Sequence, residues 1–203
     1  MLGLEWANLT WRPLRVTSLD GLASSLSHPA IADWLARGHR GTVREKLSRR
    51  AVCEARGETI HLVPHRDGEP LGFGALLPYP GLPGRLQTSI YLARAAWGTG
   101  LYRHCATLLW AVGHDVLGHE LLIASSHVEN GRSRAARQKI SPGIEPRIAW
   151  EPWMPRLATV FELSGPPEPA EPMAHAELAK LRRLVRSLPG YPRLRSGAGS
   201  LAA

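Results

Sequence analysis

A strand, a glycine turn, a helix and a second strand follow one another between Ser89 and Ser133, and this order constrains the fold most strongly. The alternating residues of Arg85–Leu92 predict a strand, and the apolar stripe of Tyr102–Leu117 predicts an amphipathic helix that ends before a glycine. The short apolar run Leu121–Ser125 predicts a buried strand parallel to the first. We therefore expect a right-handed βαβ crossover, in which the helix starts where the first strand ends.

The turn between strand and helix reads Trp97-Gly98-Thr99-Gly100-Leu101-Tyr102. A helix start presents unpaired backbone N–H groups and the positive end of the helix dipole. Glycines at 98 and 100 leave no Cβ atoms to keep an anion away from those amides. The turn predicts a phosphate or diphosphate site, or, as the alternative, a tight turn without a ligand. It is neither a P-loop nor the three-glycine dinucleotide fingerprint.

The elements before the glycine turn predict an antiparallel sheet. Residues 58–64 and 70–77 form two strand patterns around the Asp67-Gly68 turn signal, and the strand 85–92 follows after a proline-rich loop. The fold class is therefore mixed α/β (α+β), with a mostly antiparallel twisted sheet, flanking helices and a central βαβ unit. The remaining expected elements are strands at 9–14 and 156–163 and helices at 19–26, 30–36 and 130–140.

The chain of 203 residues carries a net charge of +8, from 25 Lys and Arg against 17 Asp and Glu, which favours anionic partners. Residues 37–57 hold much of this charge, and we interpret them as a solvated helix face or loop, with a grip on an acidic substrate as the alternative. We expect no signal peptide and no membrane span. Because Cys53 and Cys105 lack disulfide or metal-site spacing, we expect reduced thiols and a cytoplasmic location.

Composition divides the chain into three parts. Residues 1–163 are expected to form the folded domain, and 164–173 are a proline-rich linker. Residues 174–203 are expected to contain one basic helix and a flexible C-terminal tail.

The central stretch resembles the acetyl-coenzyme A site of the GNAT superfamily of N-acetyltransferases. That family carries Gln/Arg-x-x-Gly-x-Gly/Ala after its fourth strand, and residues 97–102 fall on this signature with Gly100 in place. The tryptophan at 97 is similar to the Trp-Gly-x-Gly subset, which includes acetyltransferases of ribosomal-protein N-termini. The family's Asn-x-x-Ser before a helix matches Asn130 and Ser133.

This resemblance implies roles for individual residues. The fourth family strand binds the thioester and pantetheine, and in the family it splays away from the fifth strand. The implied contacts to coenzyme A are Ile90, Tyr91, Leu92, Trp97, Gly98, Thr99, Gly100, Leu101, Tyr102, Asn130, Ser133 and Arg137. Arg137 stands where the family often has a general-acid tyrosine, and a guanidinium stabilises a thiolate but does not readily give up a proton.

A base must remove the proton of the acceptor ammonium, directly or through water, and His127 and Glu129 follow the second strand of the crossover. The expected catalytic residues are His127, Glu129 and Ser133, with His61 or His65 as other possible bases. Ser125 and Ser126 could position water there, and Trp150 with Trp153 could line an acceptor pocket.

The sequence thus predicts an acetyl-CoA-dependent N-acetyltransferase that acts on a primary amine of a small molecule or on a protein N-terminus, without a metal. A non-catalytic acyl-CoA-binding relative and an RNA- or tRNA-associated acetyltransferase are the alternatives. The expected partners are a coenzyme A thioester and an unidentified amine, with no membrane. A nucleic acid and a homodimer are further possibilities.

Overall fold

The structure is a computed structural model that describes residues 3–36, 41–80, 82–150, 157–168, 173–189, 191 and 194. The strands are β1 (Leu4–Trp6), β2 (Leu9–Pro13), β3 (Ile60–Arg66), β4 (Glu69–Pro70), β5 (Gly72–Pro78), β6 (Leu86–Leu92), β7 (Leu122–His127), β8 (Arg147–Trp150) and β9 (Leu157–Leu163). The helices are α1 (Leu19–Ser25), α2 (Pro29–Ala36), α3 (Val43–Ala55), α4 (Leu101–Ala111), α5 (Gly131–Ile140) and α6 (His175–Arg186).

The strands form one sheet in the order β1-β2-β3-β5-β6-β7-β9-β8, with β4 paired to β3. Strands β6 and β7 are parallel, and the other pairs in the described residues are antiparallel. Helix α4 connects β6 to β7, so the predicted βαβ unit and the mixed, mostly antiparallel sheet are confirmed.

Helices cover both faces of this sheet, because successive strand residues point to opposite sides. On β5, Phe73 packs in the core beneath α1, α2 and α3, whereas Leu76 packs in the core beneath α4 and α6. Pairing of β5 with β6 carries this alternation onward, so Tyr91 faces the α2 side and Leu92 faces the α4 side. The two faces of the β6–β7 region are therefore distinct chemical environments.

The basic segment matches the interpretation as a solvated face only in part, since Arg44, Arg49 and Arg56 are exposed but other cations are not. Helix α3 starts with a capping box at Thr42, and two of its cations turn inward. Lys46 is buried and donates to the Leu35 carbonyl at 2.8 Å. Arg50 lies 5.2 Å from the Phe73 ring centroid, so the helix packs part of its charge against the sheet. Residues 37–40 lie outside the described part.

The C-terminal basic helix is part of the main core. Leu181 and Val185 of α6 are fully buried, and they share one cluster with the α4 side of the sheet. Beyond the helix, Leu194 is 2% exposed and its carbonyl lies 2.8 Å from His119 Nε2. Leu194 therefore packs against the folded core, and the flexible tail stays a prediction.

Two short strands at the sheet edges, β1 and β8, were not predicted.

Among the described helices, none is both long enough and apolar enough to span a lipid bilayer.

Candidate active site

Strands β6 and β7 part in the middle of the sheet. They pair at Leu86–Leu122, Gln87–Ile123 and Thr88–Ala124, and β6 and β7 then continue to Leu92 and His127 without further mutual pairs. We call the Thr88–Ala124 pair the fork and the gap beyond it the cleft. Alternate backbone groups of 89–92 point away from β5 and into this cleft. Apart from the Leu92 carbonyl, which accepts from the Trp97 side chain, they are available to hydrogen-bond a ligand.

The glycine turn lies at the open end of the cleft, directly after β6. Gly98 and Gly100 have φ angles of +79° and +84°, the left-handed region that favours glycine, and Gly100 is the N-cap of α4. A Cβ atom added to either would meet no heavy atom within 4 Å. In the described part of the chain, no backbone acceptor pairs with the amides of 98–102. Open space, free amides and the helix dipole together fit a diphosphate.

Side chains of the turn support its shape. Thr99 Oγ1 donates to the Ala96 carbonyl at 2.8 Å, and Leu101 is buried in the core. Any contact of these two residues with a ligand would therefore come mainly from their amides.

Trp97 joins the two sides of the cleft. Its Nε1 donates to the Leu92 carbonyl at 3.1 Å, which fixes the ring at the end of β6. The guanidinium carbon of Arg132, in the first turn of α5, lies 3.6 Å from the Trp97 ring centroid, and that of Arg94 lies at 4.6 Å. The indole therefore stabilises two cations beside the glycine turn.

Helix α5 starts beyond β7 with Asn130 as its N-cap. Asn130 Oδ1 accepts from the Ser133 backbone N–H at 3.1 Å, so this oxygen stabilises the helix start. Both predicted ligand contacts are half-buried at this helix start, and their contact with coenzyme A stays a prediction.

Arg137 lies at the fork on the α4 side. Its side chain is buried, and its Nη2 donates to Thr88 Oγ1 at 3.3 Å. The guanidinium carbon also lies 5.5 Å from the ring centroid of Tyr102. Tyr102, which we expected beside the phosphates, thus packs between the glycine turn and this cation.

His127, the last residue of β7, lies on the opposite, α2 side of the cleft. Its ring is 5.7 Å from that of Trp34 on α2, and the side chain is 8% exposed. His127 Nδ1 accepts from the Glu129 backbone N–H at 3.3 Å and lies 3.8 Å from Glu129 Oε2. Nε2 is buried and has no hydrogen-bond partner in the described structure. The structure therefore brings the predicted His127 and Glu129 together.

The other two predicted bases are enclosed in the core. His61 is fully buried between Thr59 and Arg50, and burial lowers the pKa of its imidazole well below 6.5. His65 is also buried, and its Nδ1 donates to the Val63 carbonyl at 3.0 Å. Both lie on β3, which β5 separates from β6, so neither is next to the cleft. The structure therefore favours His127 over them as a candidate base.

Three contacts of the cleft were not predicted: Trp34 against His127, Thr88 beneath Arg137, and Arg132 on Trp97. Only Trp34 gave a signal, as an aromatic residue on one side of a short amphipathic helix. Of the predicted acceptor residues, Trp150 is 70% exposed on the edge strand β8, and Trp153 lies outside the described residues. No cluster of three or more metal-ligating side chains occurs within the described ranges.

Solved structures with the same fold are acetyltransferases. A GCN5-related N-acetyltransferase from Brucella melitensis has a TM-score of 0.61 at 17% identity, over 89% of this chain and 82% of its own. The aminoglycoside acetyltransferase AAC(6′)-Ib, solved with coenzyme A, has a TM-score of 0.61 at 18% identity, over 77% and 94%. A ribosomal-protein-alanine N-acetyltransferase from Brucella melitensis has a TM-score of 0.57 at 18% identity, over 76% and 99%.

These similarities establish the fold, and the family assignment comes from sequence comparison. No functionally curated protein matches the chain. The family model described as "Acetyltransferase (GNAT) domain" matches residues 8–141, which include the fork, the glycine turn and the start of α5. The chain therefore belongs to the GNAT acetyltransferase family.

Proposed function

We propose that this chain transfers an acetyl group from acetyl-CoA to a primary amine, on a small molecule or a protein N-terminus, by direct attack on the thioester. One observation supports this most strongly: two parallel strands separate at Thr88–Ala124, and a glycine turn lies at the open end, its amides without a backbone acceptor among the described residues. A long thioester with a diphosphate at one end matches that geometry.

In this proposal the amides of 98–102 bind the diphosphate, and the pantetheine arm lies along Ile90, Tyr91 and Leu92, where it pairs with the backbone groups that point away from β5. The thioester then lies near the fork. A backbone N–H of β6 that points into the cleft would stabilise the negative charge that develops on the carbonyl oxygen. Asn130 Nδ2 and Ser133 would contact the arm from α5. The Trp-Gly-x-Gly subset and its ribosomal-protein acceptors stay a prediction.

His127 is the proposed base, because its Nε2 is unpaired at the cleft. For His127 to act as a base, its Nδ1 must give up the hydrogen bond from the Glu129 N–H and carry the ring proton. Nε2 then accepts the proton of the acceptor ammonium, and the Glu129 carboxylate stabilises the imidazolium from 3.8 Å. The neutral amine nitrogen then bonds to the carbonyl carbon, the C–S bond breaks, and the thiolate leaves. Trp34, packed on His127, would line the path by which the amine enters.

The test is an amine panel with acetyl-CoA in which free thiol is measured. The panel contains small primary amines and peptides with free N-termini, and the expected result is thiol release with at least one class. His127→Gln should lower kcat/KM about 100-fold or more and remove the acidic limb of its pH profile. His114→Gln, at a half-exposed histidine beyond α4, is the matched control and should change neither.

Other outcomes would contradict the proposal. Binding of acetyl-CoA without thiol release in the presence of any amine would identify a non-catalytic acyl-CoA-binding relative. A His127→Gln variant with an unchanged pH profile would exclude His127 as the base. Steeply salt-dependent RNA binding, with thiol release only on an RNA-linked amine, would favour the RNA-associated alternative.

A further inference from the structure

Arg137 is a buried cation whose charge is not balanced by a carboxylate in the part of the chain that the structure describes. Its side chain is 5% exposed. The contacts of its guanidinium are the neutral hydroxyl of Thr88, at 3.3 Å, and the face of the Tyr102 ring, at 5.5 Å. A buried charge is costly unless it is paired, so this position favours an anionic group supplied by a ligand.

The neighbouring residues at the fork are small on the same side of the sheet, and two of the three carry hydroxyl groups. Alternation along β7 places Ala124 and Ser126 on the α4 side, and Thr88 of β6 lies on that side too. An acetyl methyl group placed here would contact the Thr88 hydroxyl and the Arg137 guanidinium as well as Ala124. Small side chains beside a cation instead leave room for a longer acyl chain with a polar end.

We propose that Arg137 binds a carboxylate at the far end of the acyl group, so that the cleft prefers coenzyme A thioesters of dicarboxylic acids over acetyl-CoA. This inference rests on the proposed function, since it concerns the acyl end of the same cleft. Bond making is unchanged: the amine nitrogen bonds to the thioester carbon, the C–S bond breaks, and the distal carboxylate is not altered. Arg137 and the carboxylate would form a charge-assisted, bidentate ion pair.

A thiolate is a second anion that could reach Arg137 at the fork. The two sources differ in their ligand dependence. A thiolate interaction would strengthen the binding of free coenzyme A at high pH and would not depend on the acyl chain. A carboxylate interaction would give different affinities for two thioesters whose acyl chains have equal length.

The experiment is calorimetric titration of the protein with succinyl-CoA, butyryl-CoA, acetyl-CoA and coenzyme A. Butyryl-CoA is the neutral match for succinyl-CoA, because its acyl chain has the same number of carbons. We expect succinyl-CoA to bind about tenfold or more tightly than butyryl-CoA, as for a hydrogen-bonded charge pair. In Arg137→Gln the ratio should fall to about one. Arg134→Gln, at an exposed arginine on the same helix, should keep the wild-type ratio.

Equal binding of succinyl-CoA and butyryl-CoA by the wild type would overturn the inference, and so would a preference that persists in Arg137→Gln. Equal affinities for the two thioesters, together with weaker binding of coenzyme A by Arg137→Gln at high pH only, would assign the thiolate as the anion that Arg137 binds. If Arg137→Gln does not fold, the wild-type ratio and Arg137→Lys, which keeps the charge and loses the bidentate fork, decide. If no thioester and no coenzyme A bind to the folded wild type, the proposed function itself fails.

Discussion

Replacement of Gly100 by glutamate tests the glycine turn as a diphosphate site. Gly100 caps α4 at φ +84°, and a Cβ atom added there would point into open space beside the amides of 98–102. A glutamate would therefore bring a carboxylate to the place where we put the diphosphate, without a clash against protein atoms. The variant should fold and should bind acetyl-CoA more weakly.

The expected loss follows from two terms. Left-handed backbone costs a non-glycine residue about 1–2 kcal/mol of folding stability, and this term acts with or without ligand. The second term acts on binding: a carboxylate at about 5 Å from a diphosphate with two negative charges is repelled by about 1.7 kcal/mol even at the dielectric constant of water. That energy corresponds to a roughly 17-fold increase in Kd, and the lower dielectric of a cleft would enlarge it.

Gly118→Glu is the matched control. Gly118 follows the opposite end of the same helical segment, has φ +81°, and also faces open space. Both variants should therefore lose similar thermal stability, while only Gly100→Glu should lose affinity in a calorimetric titration with acetyl-CoA. Equal Kd values for Gly100→Glu and the wild type, with both proteins folded, would refute the assignment of the turn.

Two further predictions concern stability. Because burial lowers the pKa of His61, the folded protein resists protonation that the unfolded chain accepts below about pH 6.5. Its free energy of unfolding should fall as the pH drops from there, by up to about 1.4 kcal/mol per pH unit from this residue. His61→Gln should reduce that slope in urea titrations, and an unchanged slope would contradict the argument. At Gly72, with φ +135°, a Cβ would lie 2.2 Å from the Tyr91 carbonyl oxygen. Gly72→Ala should therefore lower the free energy of unfolding by about 3 kcal/mol or more, against about 1 kcal/mol for Gly68→Ala in an open turn; equal losses would contradict the clash.

The order of elements around the glycine turn was predictable because its signals are local. Apolar spacing within 102–117 and the glycines at 98, 100 and 118 each act over a few residues, and the crossover rule then orders the strands. His127 and Glu129 could likewise be placed together, since they are close in sequence at the end of one strand.

Long-range pairing could not be predicted in this way. The hydrogen bond from Arg137 to Thr88 spans 49 residues, and it depends on the point at which β6 and β7 separate. The spacing of apolar residues in the sequence does not indicate that point. Lys46 is a similar case, because a lysine on a basic helix predicts exposure, whereas its terminal amine is held by the Leu35 carbonyl. His61 is buried because it lies on a central strand, close to α3 and β5. The alternation of residue types around it in the sequence does not indicate this position.

The most direct measurement of the central claim is a crystal structure of this chain with coenzyme A bound. We predict the diphosphate within hydrogen-bond distance of the amides of 98–102 and the pantetheine arm between 89–92 of β6 and 125–127 of β7, with the thiol toward Thr88. Coenzyme A bound elsewhere, or β6 and β7 paired beyond Thr88–Ala124 so that the cleft is closed, would contradict the claim.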